Sequence, residues 1–349
     1  MSAAGALRAL LGTELPIIQA PMAGSNGAAL AVAVSNAGGL GSLPCAMLSP
    51  EQMRAELAAI RAQTGRPFNV NFFCHAQPAP DPPREARWRE LLAPYYREFG
   101  LDPERVPAGA GRLPFGPEAA RMLEEFRPPV VSFHFGLPEP DLLARVKQLG
   151  AKVLSSATTV EEALWLEARG VDAIIAQGLE AGGHRGMFLG DDLTTQTGTI
   201  ALVRRIVRAV RVPVIAAGGI ADAQGVAAAL ALGAAGVQVG TAYLLCPEAA
   251  TSPVHRAALK SAAAGHTALT NLFTGRPARG IVNRLMREIG PFNPAAPAFP
   301  LAAAAVAPLR AAAEGRESGD FSPLWAGQNA TGCRELPAAQ LTRKLAGAL

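Results

Sequence analysis

Residues 213–241 read PVIAAGGIADAQGVAAALALGAAGVQVGT: a β-rich run, a glycine pair, a helical stretch and a second β-rich run. The runs Pro213–Ala217 and Val237–Gly240 are almost wholly apolar, which is typical of strands buried on both faces. The helical pattern Asp222–Leu232 lies between them. This order predicts two parallel strands joined by a crossover helix.

The same alternation of β-rich run, glycine-rich or polar corner and helical segment recurs along the chain. Further helical patterns cover Pro50–Gln63 and Thr159–Arg169. Eight runs are expected to be strands: Pro16–Ala20, Gly39–Leu43, Asn69–Phe73, Val130–Phe135, Lys152–Ser156, Ala173–Gln177, Pro213–Ala217 and Val237–Gly240. Eight alternating units with buried strands predict a (β/α)8 TIM barrel rather than an open doubly wound sheet.

Two stretches, residues 74–128 and 245–330, depart from the repeat, and both follow strands, where barrel enzymes carry functional loops. The segment Glu335–Ala348 then returns as the expected outer helix of the eighth unit. We predict three segments: a barrel over 1–246, a small, mainly helical lid domain over 247–320 inserted after the eighth strand, and a closing segment over 321–349.

Composition excludes several classes of protein. Half of the 349 residues are apolar and 17% are charged, which supplies a large core. The net charge of +4 comes without a run of five like charges, so no nucleic-acid partner is expected. The four cysteines lie far apart without metal-ligand spacing, which argues against a disulfide scaffold or a zinc site and favours a reducing, cytoplasmic compartment.

Residues 225–246 carry no charge and match a membrane span in length. They are mostly Ala and Gly, and Gly233 and Gly236 divide them into a helix and a strand. The N-terminus has Arg8 inside its first apolar stretch, which is not typical of a secretory signal. No membrane association is expected.

The carboxyl ends of the predicted strands carry neutral polar residues and glycines. Since barrel strands converge on one mouth, these residues are expected to line one site: Gln19, Ala20, Pro21, Met22, Asn71, His134, Ser155, Ser156, Gln177, Gly218, Gly219, Gly240 and Thr241. Any one of them, such as Asn71, is equally well explained as a satisfied buried side chain. The whole set is not, because a core does not need these polar groups.

Two glycine-rich corners at the seventh and eighth strands predict an anion site. Gly218 and Gly219 lie between a strand and a helix, and residues 238–241 read QVGT. Backbone N–H groups exposed by glycine bind a phosphate without Lys or Arg, and barrels place a phosphate at this position. Two tight turns without a ligand are the alternative interpretation.

The loop after the sixth strand, residues 177–186, reads QGLEAGGHRG. Glycines around His184 let the backbone approach a flat ligand and direct one titratable group at it, which suits a general base or an electrostatic catalyst. His134 lies between two Phe residues and is either a substrate-binding residue or a satisfied buried histidine. His75 has a weaker context, and His255 and His266 are expected on the lid surface.

Several reaction classes lack their residues. Lys152 begins the fifth strand, at the wrong end of the barrel for a Schiff base. No Asp, Glu and His cluster at the strand ends predicts a metal site, and no GxSxG motif occurs. An organic cofactor is therefore expected, and a phosphate site beside a neutral, amide-lined mouth suits flavin mononucleotide (FMN).

The chain resembles the nitronate monooxygenases, formerly called 2-nitropropane dioxygenases, and their first class in particular. The resemblance covers about residues 16–245 and resumes at Leu324–Gln328. The motifs that carry it are Pro16–Gly24 (PIIQAPMAG), Ala37–Gly41 (AGGLG), Ala181–Gly186 (AGGHRG), Ala217–Ile220 (AGGI) and Gln238–Thr241 (QVGT).

The resemblance implies a catalytic role for His184 and FMN binding with the phosphate on Gly219, Gly240 and Thr241. The full set of FMN-binding residues that it implies is Met22, Asn71, Gln177, Gly182, Gly219, Gln238, Val239, Gly240 and Thr241. His134 is the candidate substrate-binding residue. The implied reaction oxidises alkyl nitronates such as propionate 3-nitronate with O2 to a carbonyl compound and nitrite, by one-electron transfer to the flavin and without nicotinamide.

Two other functions stay open. One is an NAD(P)H-dependent flavin reductase acting on quinones or enoyl thioesters, since a reductase can bind NADH over the flavin without a separate fingerprint. The other is a barrel that binds a phosphate ligand without catalysis, which leaves His184 between its glycines unexplained. The sequence does not fix the oligomeric state.

Overall fold

The computed structural model describes residues 2–103, 105 and 112–347, which fold as a parallel barrel with an added lid. The first six strands are β1 Ile17–Gln19, β2 Gly41–Pro44, β3 Phe68–Phe73, β4 Val130–His134, β5 Lys152–Ala157 and β6 Ala173–Gln177. The others are β7 Gly183–His184, β8 Val214–Ala217, β9 Gly236–Val239, β10 Thr267–Thr270 and β11 Ala278–Ile281. Strands β7, β10 and β11 lie outside the barrel sheet.

The barrel sheet has the order β1-β9-β8-β6-β5-β4-β3-β2, and every pair in it is parallel. A parallel bridge between Ile18 and Leu40 joins β1 to β2 and closes the ring. The N–H of Gln19 donates to the carbonyl of Leu40 over 2.9 Å at this seam. The predicted TIM barrel is confirmed, with β8 and β9 as its seventh and eighth strands.

Thirteen α-helices lie in the described part of the chain. In order they are α1 Ala3–Leu11, α2 Ala28–Asn36, α3 Pro50–Gln63, α4 Pro82–Glu98, α5 Pro117–Phe126, α6 Pro140–Gln148, α7 Val160–Ala168, α8 Thr199–Ala209, α9 Ala223–Ala231, α10 Pro253–Lys260, α11 Arg284–Ile289, α12 Ala302–Glu314 and α13 Ala338–Leu345. Helix α3 begins where the sequence predicts because Ser49 and Gln52 form a capping box ahead of Pro50.

Helix α1 packs against the barrel interior. Its Leu7 and Leu11 belong to one buried cluster with the strand residues Ile18, Leu40 and Leu154. A barrel filled with apolar side chains at one end leaves its other end, where the strands terminate in polar residues, for the site.

We call the part formed by α4, α11, α12, β10 and β11 the lid. It has its own apolar core, to which both irregular stretches of the sequence contribute residues. Trp88, Tyr95 and Tyr96 of α4 are buried together with residues of α11 and α12. The Trp88 indole N–H donates to the carbonyl of Ala302 (3.2 Å), and the Tyr96 hydroxyl donates to that of Ala305 (2.6 Å). The lid core thus includes α4, which precedes the predicted segment 247–320. The division of the chain into three segments stays a prediction.

The lid also carries a small antiparallel sheet in the order β10-β11-β7. Its third strand comes from the barrel loop, since Ala278 of β11 pairs with His184 of β7. Residues 183–184 therefore belong to both structural units.

Two further predictions concern the C-terminal helix and the position of His255. Helix α13 packs between α2 and α9, as expected of the outer helix that completes the ring. Ala348, the last residue of the predicted helix, lies outside the described residues. The expectation that His255 lies on the surface is wrong, because this side chain is on the apolar face of α10 and is only 6% exposed.

Candidate active site

One cavity opens at the carboxyl ends of the barrel strands. It encloses about 1350 Å³ including its open mouth, which is ample for a cofactor and a small substrate. Its lining includes residues of the barrel, the lid and the closing segment. Of the predicted site residues, it contains Met22, Asn71, His134, Gln177, Gly182, His184, Gly219, Gln238, Gly240 and Thr241.

Glycines shape one end of this cavity. Gly218 and Gly219 have φ angles of +116° and +74°, a backbone region that favours glycine. The backbone N–H groups of Gly219, Gly240 and Thr241 donate to no group in the described chain. The Thr241 Oγ1 accepts from the N–H of Gly327 over 3.0 Å, so its hydroxyl proton stays available. This end offers several donors to a phosphate.

Two amide side chains face the middle of the cavity. The Oε1 atom of Gln238 is buried without a hydrogen-bond partner among the described residues. The Nδ2 atom of Asn71 donates to the hydroxyl of Ser132 (2.9 Å), and this fixes the orientation of the amide. Leaving a buried acceptor without a hydrogen bond costs free energy. The Gln238 amide therefore fits a ligand that carries an N–H donor.

Other predicted flavin-binding residues contribute mainly through the backbone or through packing. Val239 is 1% exposed, belongs to the barrel core and does not line the cavity. A Cβ on Gly182 would lie 2.6 Å from backbone atoms of Ala326 and Gly327. Glycine is therefore required at position 182 because the closing segment packs directly against it.

His184 also lines the cavity and lies among aromatic rings. Its ring centroid is 5.3 Å from that of Phe299 and 5.5 Å from that of Trp325. Its Nε2 lies 2.9 Å from the hydroxyl oxygen of Thr274 in the lid, which itself donates to the carbonyl of Arg276 over 3.4 Å. The lid thus holds the imidazole ring.

The surroundings of His184 favour a neutral imidazole. Burial lowers its pKa well below the ordinary 6.5, and the positive charge of Arg112 lowers it further. His134, Arg276 and His75 act in the same direction. A histidine in this state is neutral at neutral pH, and its ring carries a lone pair that can accept a proton.

The backbone of His184 is held from the barrel. Its carbonyl accepts hydrogen bonds from the Gln177 Nε2 (2.9 Å) and the His134 Nε2 (3.2 Å). The Oε1 of Gln177 accepts from the N–H of Gly186 over 2.7 Å. Both polar atoms of the Gln177 side chain are thus engaged with the loop, although the side chain lines the cavity.

His134 is similarly committed to contacts within the protein. Burial lowers its pKa to about 3, so the ring is neutral. Since a carbonyl only accepts, Nε2 carries the proton, and Nδ1 then accepts from the hydroxyl of Ser156 over 3.0 Å. The geometry makes His134 a support for His184.

Arg185, the next residue, also supports the loop. It is fully buried and donates to the carbonyls of Gln177 (2.7 Å) and Gly178 (2.6 Å) and to the Oε1 of Gln196 (3.0 Å). These bonds tie the loop to the end of β6 and so limit where His184 can lie.

Sequence reasoning missed several cavity residues that have no motif of their own. Arg112, Trp325 and Asn329 line the cavity, while the buried side chains of Phe299 and Thr274 lie against His184. The segment 324–328 was noted for its resemblance alone, without a role. Only the fold brings these residues to the strand ends.

Neither a metal-binding cluster nor a membrane-spanning helix is found among the described residues. No group of three or more His, Cys, Asp or Glu is placed to hold a metal ion in residues 2–103, 105 and 112–347. Within the same ranges, no helix has the length and apolar character needed to cross a membrane.

The comparisons with known proteins show the family of the chain. The family model described as nitronate monooxygenase matches residues 5–347. The chain is 48% identical over 339 residues to the nitronate monooxygenase of Pseudomonas aeruginosa, and the match covers 96% of each chain. The chain belongs to the nitronate monooxygenase family. It is accordingly an oxidoreductase that acts on small molecules, and the resemblance stated from the motifs is confirmed.

Solved structures give the same result for the whole fold of this family member. A nitroalkane oxidase from Streptomyces ansochromogenes superposes with a TM-score of 0.89 at 40% identity, over 99% of this chain and 97% of that one. FabK from Thermotoga maritima superposes with a TM-score of 0.72 at 30% identity, over 97% and 94%. Both solved structures therefore match nearly the whole of this chain, including the residues outside the barrel sheet.

Proposed function

We propose that this enzyme binds FMN and oxidises alkyl nitronates with O2 to a carbonyl compound and nitrite. The observation that carries the proposal is one cavity that is lined both by glycines with free backbone N–H groups and by a neutral histidine. Propionate 3-nitronate is the expected type of substrate. The cytoplasmic location expected from the cysteines stays a prediction.

The residues present fit FMN. The free N–H groups of Gly219, Gly240 and Thr241 would hold its phosphate, and the unpaired Oε1 of Gln238 would accept from a ring N–H. The amide of Asn71 would hold the same ring system. When bound, the flavin would accept electrons from the nitronate and pass them to O2.

The protein's own groups would supply the proton chemistry. Because Thr274 donates to the carbonyl of Arg276, its hydroxyl oxygen accepts from the Nε2–H of His184. The lone pair of His184 is then on Nδ1. That atom would take the α-proton from a neutral nitroalkane, while the aromatic rings around it exclude water.

Anaerobic spectroscopy of the purified protein tests this function. The protein should be yellow, and a nitronate should bleach the flavin while NADH should not. Readmitted O2 should restore the colour, and turnover should release nitrite in proportion to the O2 consumed. A colourless protein that cannot be reconstituted with FMN would refute the proposal.

The nicotinamide-dependent reductase is the second candidate. The 30% identity to FabK supports it only as a protein of the same architecture. Rapid bleaching by NADH together with no response to propionate 3-nitronate would establish this function. The non-catalytic barrel is disfavoured, since the contacts that fix His184 have no purpose in it.

A further inference from the structure

Arg112 places a positive charge in the cavity without a counterion. It lines the cavity, and its Nη1 atom is buried and bonded to nothing in the described chain. Its Nη2 contacts only the sulfur of Met47, at 3.9 Å. Burial lowers the pKa of Arg112 to about 10, so the guanidinium is still charged at neutral pH.

The position of this residue is defined by the barrel and the lid. Its backbone carbonyl accepts from the His75 Nε2 and the Gln77 Nε2, each over 2.9 Å. Its Cζ lies 5.5 Å from the ring centroid of Phe299 in the lid. No Asp or Glu among the described residues forms an ion pair with it.

Arg276, the other cation near His184, is used differently. Its Nη2 donates to the carbonyl of Met187, and its Cζ lies 4.1 Å from the Phe135 centroid. It does not line the cavity. Arg112 is therefore the cation that a ligand in the cavity reaches.

Arg112 and His184 lie near the same aromatic ring. The Phe299 centroid is 5.3 Å from the His184 ring and 5.5 Å from the Arg112 Cζ. Both His184 and Arg112 also line the cavity, so a short substrate whose reacting carbon is beside His184 can extend towards the guanidinium. The planar fork of an arginine pairs best with a carboxylate or another planar oxyanion.

We propose that Arg112 is a specificity-determining residue that binds a carboxylate at the far end of the substrate. The inference rests on the proposed function, which expects substrates of the propionate 3-nitronate type, and assigns the recognition of their terminal carboxylate to Arg112. A substrate of this class supplies the missing counterion, while an uncharged alkyl nitronate leaves the guanidinium unpaired.

Paired substrates test the proposal in the flavin-loaded enzyme. Propionate 3-nitronate and 1-propyl nitronate have the same carbon chain, and only the first carries a carboxylate. In Arg112→Met, the ratio of their kcat/KM values should fall by about 10- to 100-fold, mainly through KM for the carboxylate substrate. Arg112→Lys should retain part of the ratio.

Arg205→Met is the matched control. Arg205 is exposed on α8, so this variant loses the same charge far from the cavity. Its ratio should equal that of the wild type. If the ratio of the two kcat/KM values in Arg112→Met equals that of the wild type, whether or not both values fall, the proposal is overturned.

A binding measurement separates this proposal from the proposed function. Anaerobic calorimetry with 3-nitropropionate and 1-nitropropane, on enzyme whose flavin has been reduced beforehand with dithionite so that no turnover occurs, should show tighter binding of the carboxylate ligand in the wild type and loss of that preference in Arg112→Met. If the preference is present but no nitronate is oxidised, only the proposed function fails. If nitronates are oxidised and the preference is absent, only the role of Arg112 fails.

Discussion

Replacing His184 with Asn distinguishes the two roles that a histidine can have in this cavity. Asparagine keeps a polar group near Thr274 but has no basic lone pair. The pKa of His184 lies well below 6.5, so nearly every molecule of the wild type holds a neutral imidazole at pH 7. The imidazole is then available as a base in nearly every molecule, while its lowered pKa also makes it a weaker base, so we expect a contribution near the lower end of the typical range of about 10²–10⁴ in rate.

We expect His184→Asn to lose at least about 10² in kcat on neutral 1-nitropropane, while oxidation of the preformed nitronate falls much less. Nitrite release and O2 uptake measure both activities. The flavin spectrum shows whether the variant still loads FMN. His266→Asn, a change of an exposed lid histidine, is the control and should match the wild type.

The pH dependence gives an independent check. A histidine with a lowered pKa stays neutral as the pH falls through 6.5, so base catalysis should persist there and decline only at lower pH. An imidazolium anchor would instead raise nitronate turnover as the pH falls through this range. If His184→Asn keeps FMN and oxidises both substrates at wild-type rates from pH 6 to 9, the reasoning is refuted.

Three further predictions concern the cofactor site, the positioning of His184 and acid stability. Gly219→Asp should lose FMN because it places a negative charge at the phosphate site, whereas Gly219→Asn, with the same size and the same positive φ, should retain more flavin in the visible spectrum. Thr274→Val should lower nitroalkane turnover about tenfold at unchanged flavin content, and Thr274→Ser should restore it; equal rates in the two variants would exclude a role for the hydroxyl. His255 is buried in the folded protein, and burial lowers its pKa to about 4. Below pH 6.5 the unfolded chain therefore binds a proton at this residue that the folded protein does not bind. As a result, the free energy of unfolding falls by up to about 1.4 kcal/mol for each pH unit below 6.5. Urea unfolding of His255→Gln at pH 7 and pH 5 should show a smaller loss than the wild type, and an equal loss would contradict this.

The barrel could be predicted from the sequence because each unit is local. The apolar run Ala173–Gln177 and the capped helix Pro50–Gln63 appear in the structure with the predicted bounds. Other strands differ by one or two residues at their ends, where hydrogen bonding to a neighbour decides the boundary. His184 and the glycine corners were found in the same way, since the end of a barrel strand is a known position once the strands are assigned.

The lid and its residues could not be predicted because they depend on contacts between distant parts of the chain. The indole of Trp88 meets the carbonyl of Ala302, 214 positions away. No sequence motif around Arg112 or Phe299 indicates that these two side chains lie together beside the cavity. His255 was assigned to the surface because a single polar residue on an amphipathic helix usually faces water, whereas α10 turns it inward.

Two structural units hold His184, and this determines how the lid can contribute to the reaction. The barrel holds the backbone carbonyl through Gln177 and His134, while the lid holds the imidazole through Thr274. The pairing of β7 with β11 adds backbone bonds between the same two units.

A lid that swung away as a rigid body would therefore have to break the Ala278–His184 pairing and the contact with Thr274. It would remove His184, the proposed catalytic residue, from its position each time it opened. Substrate entry through the cavity mouth with the β7–β11 pairing intact avoids that cost. The lid is thus a structural part of the candidate active site, because the position of His184 depends on it.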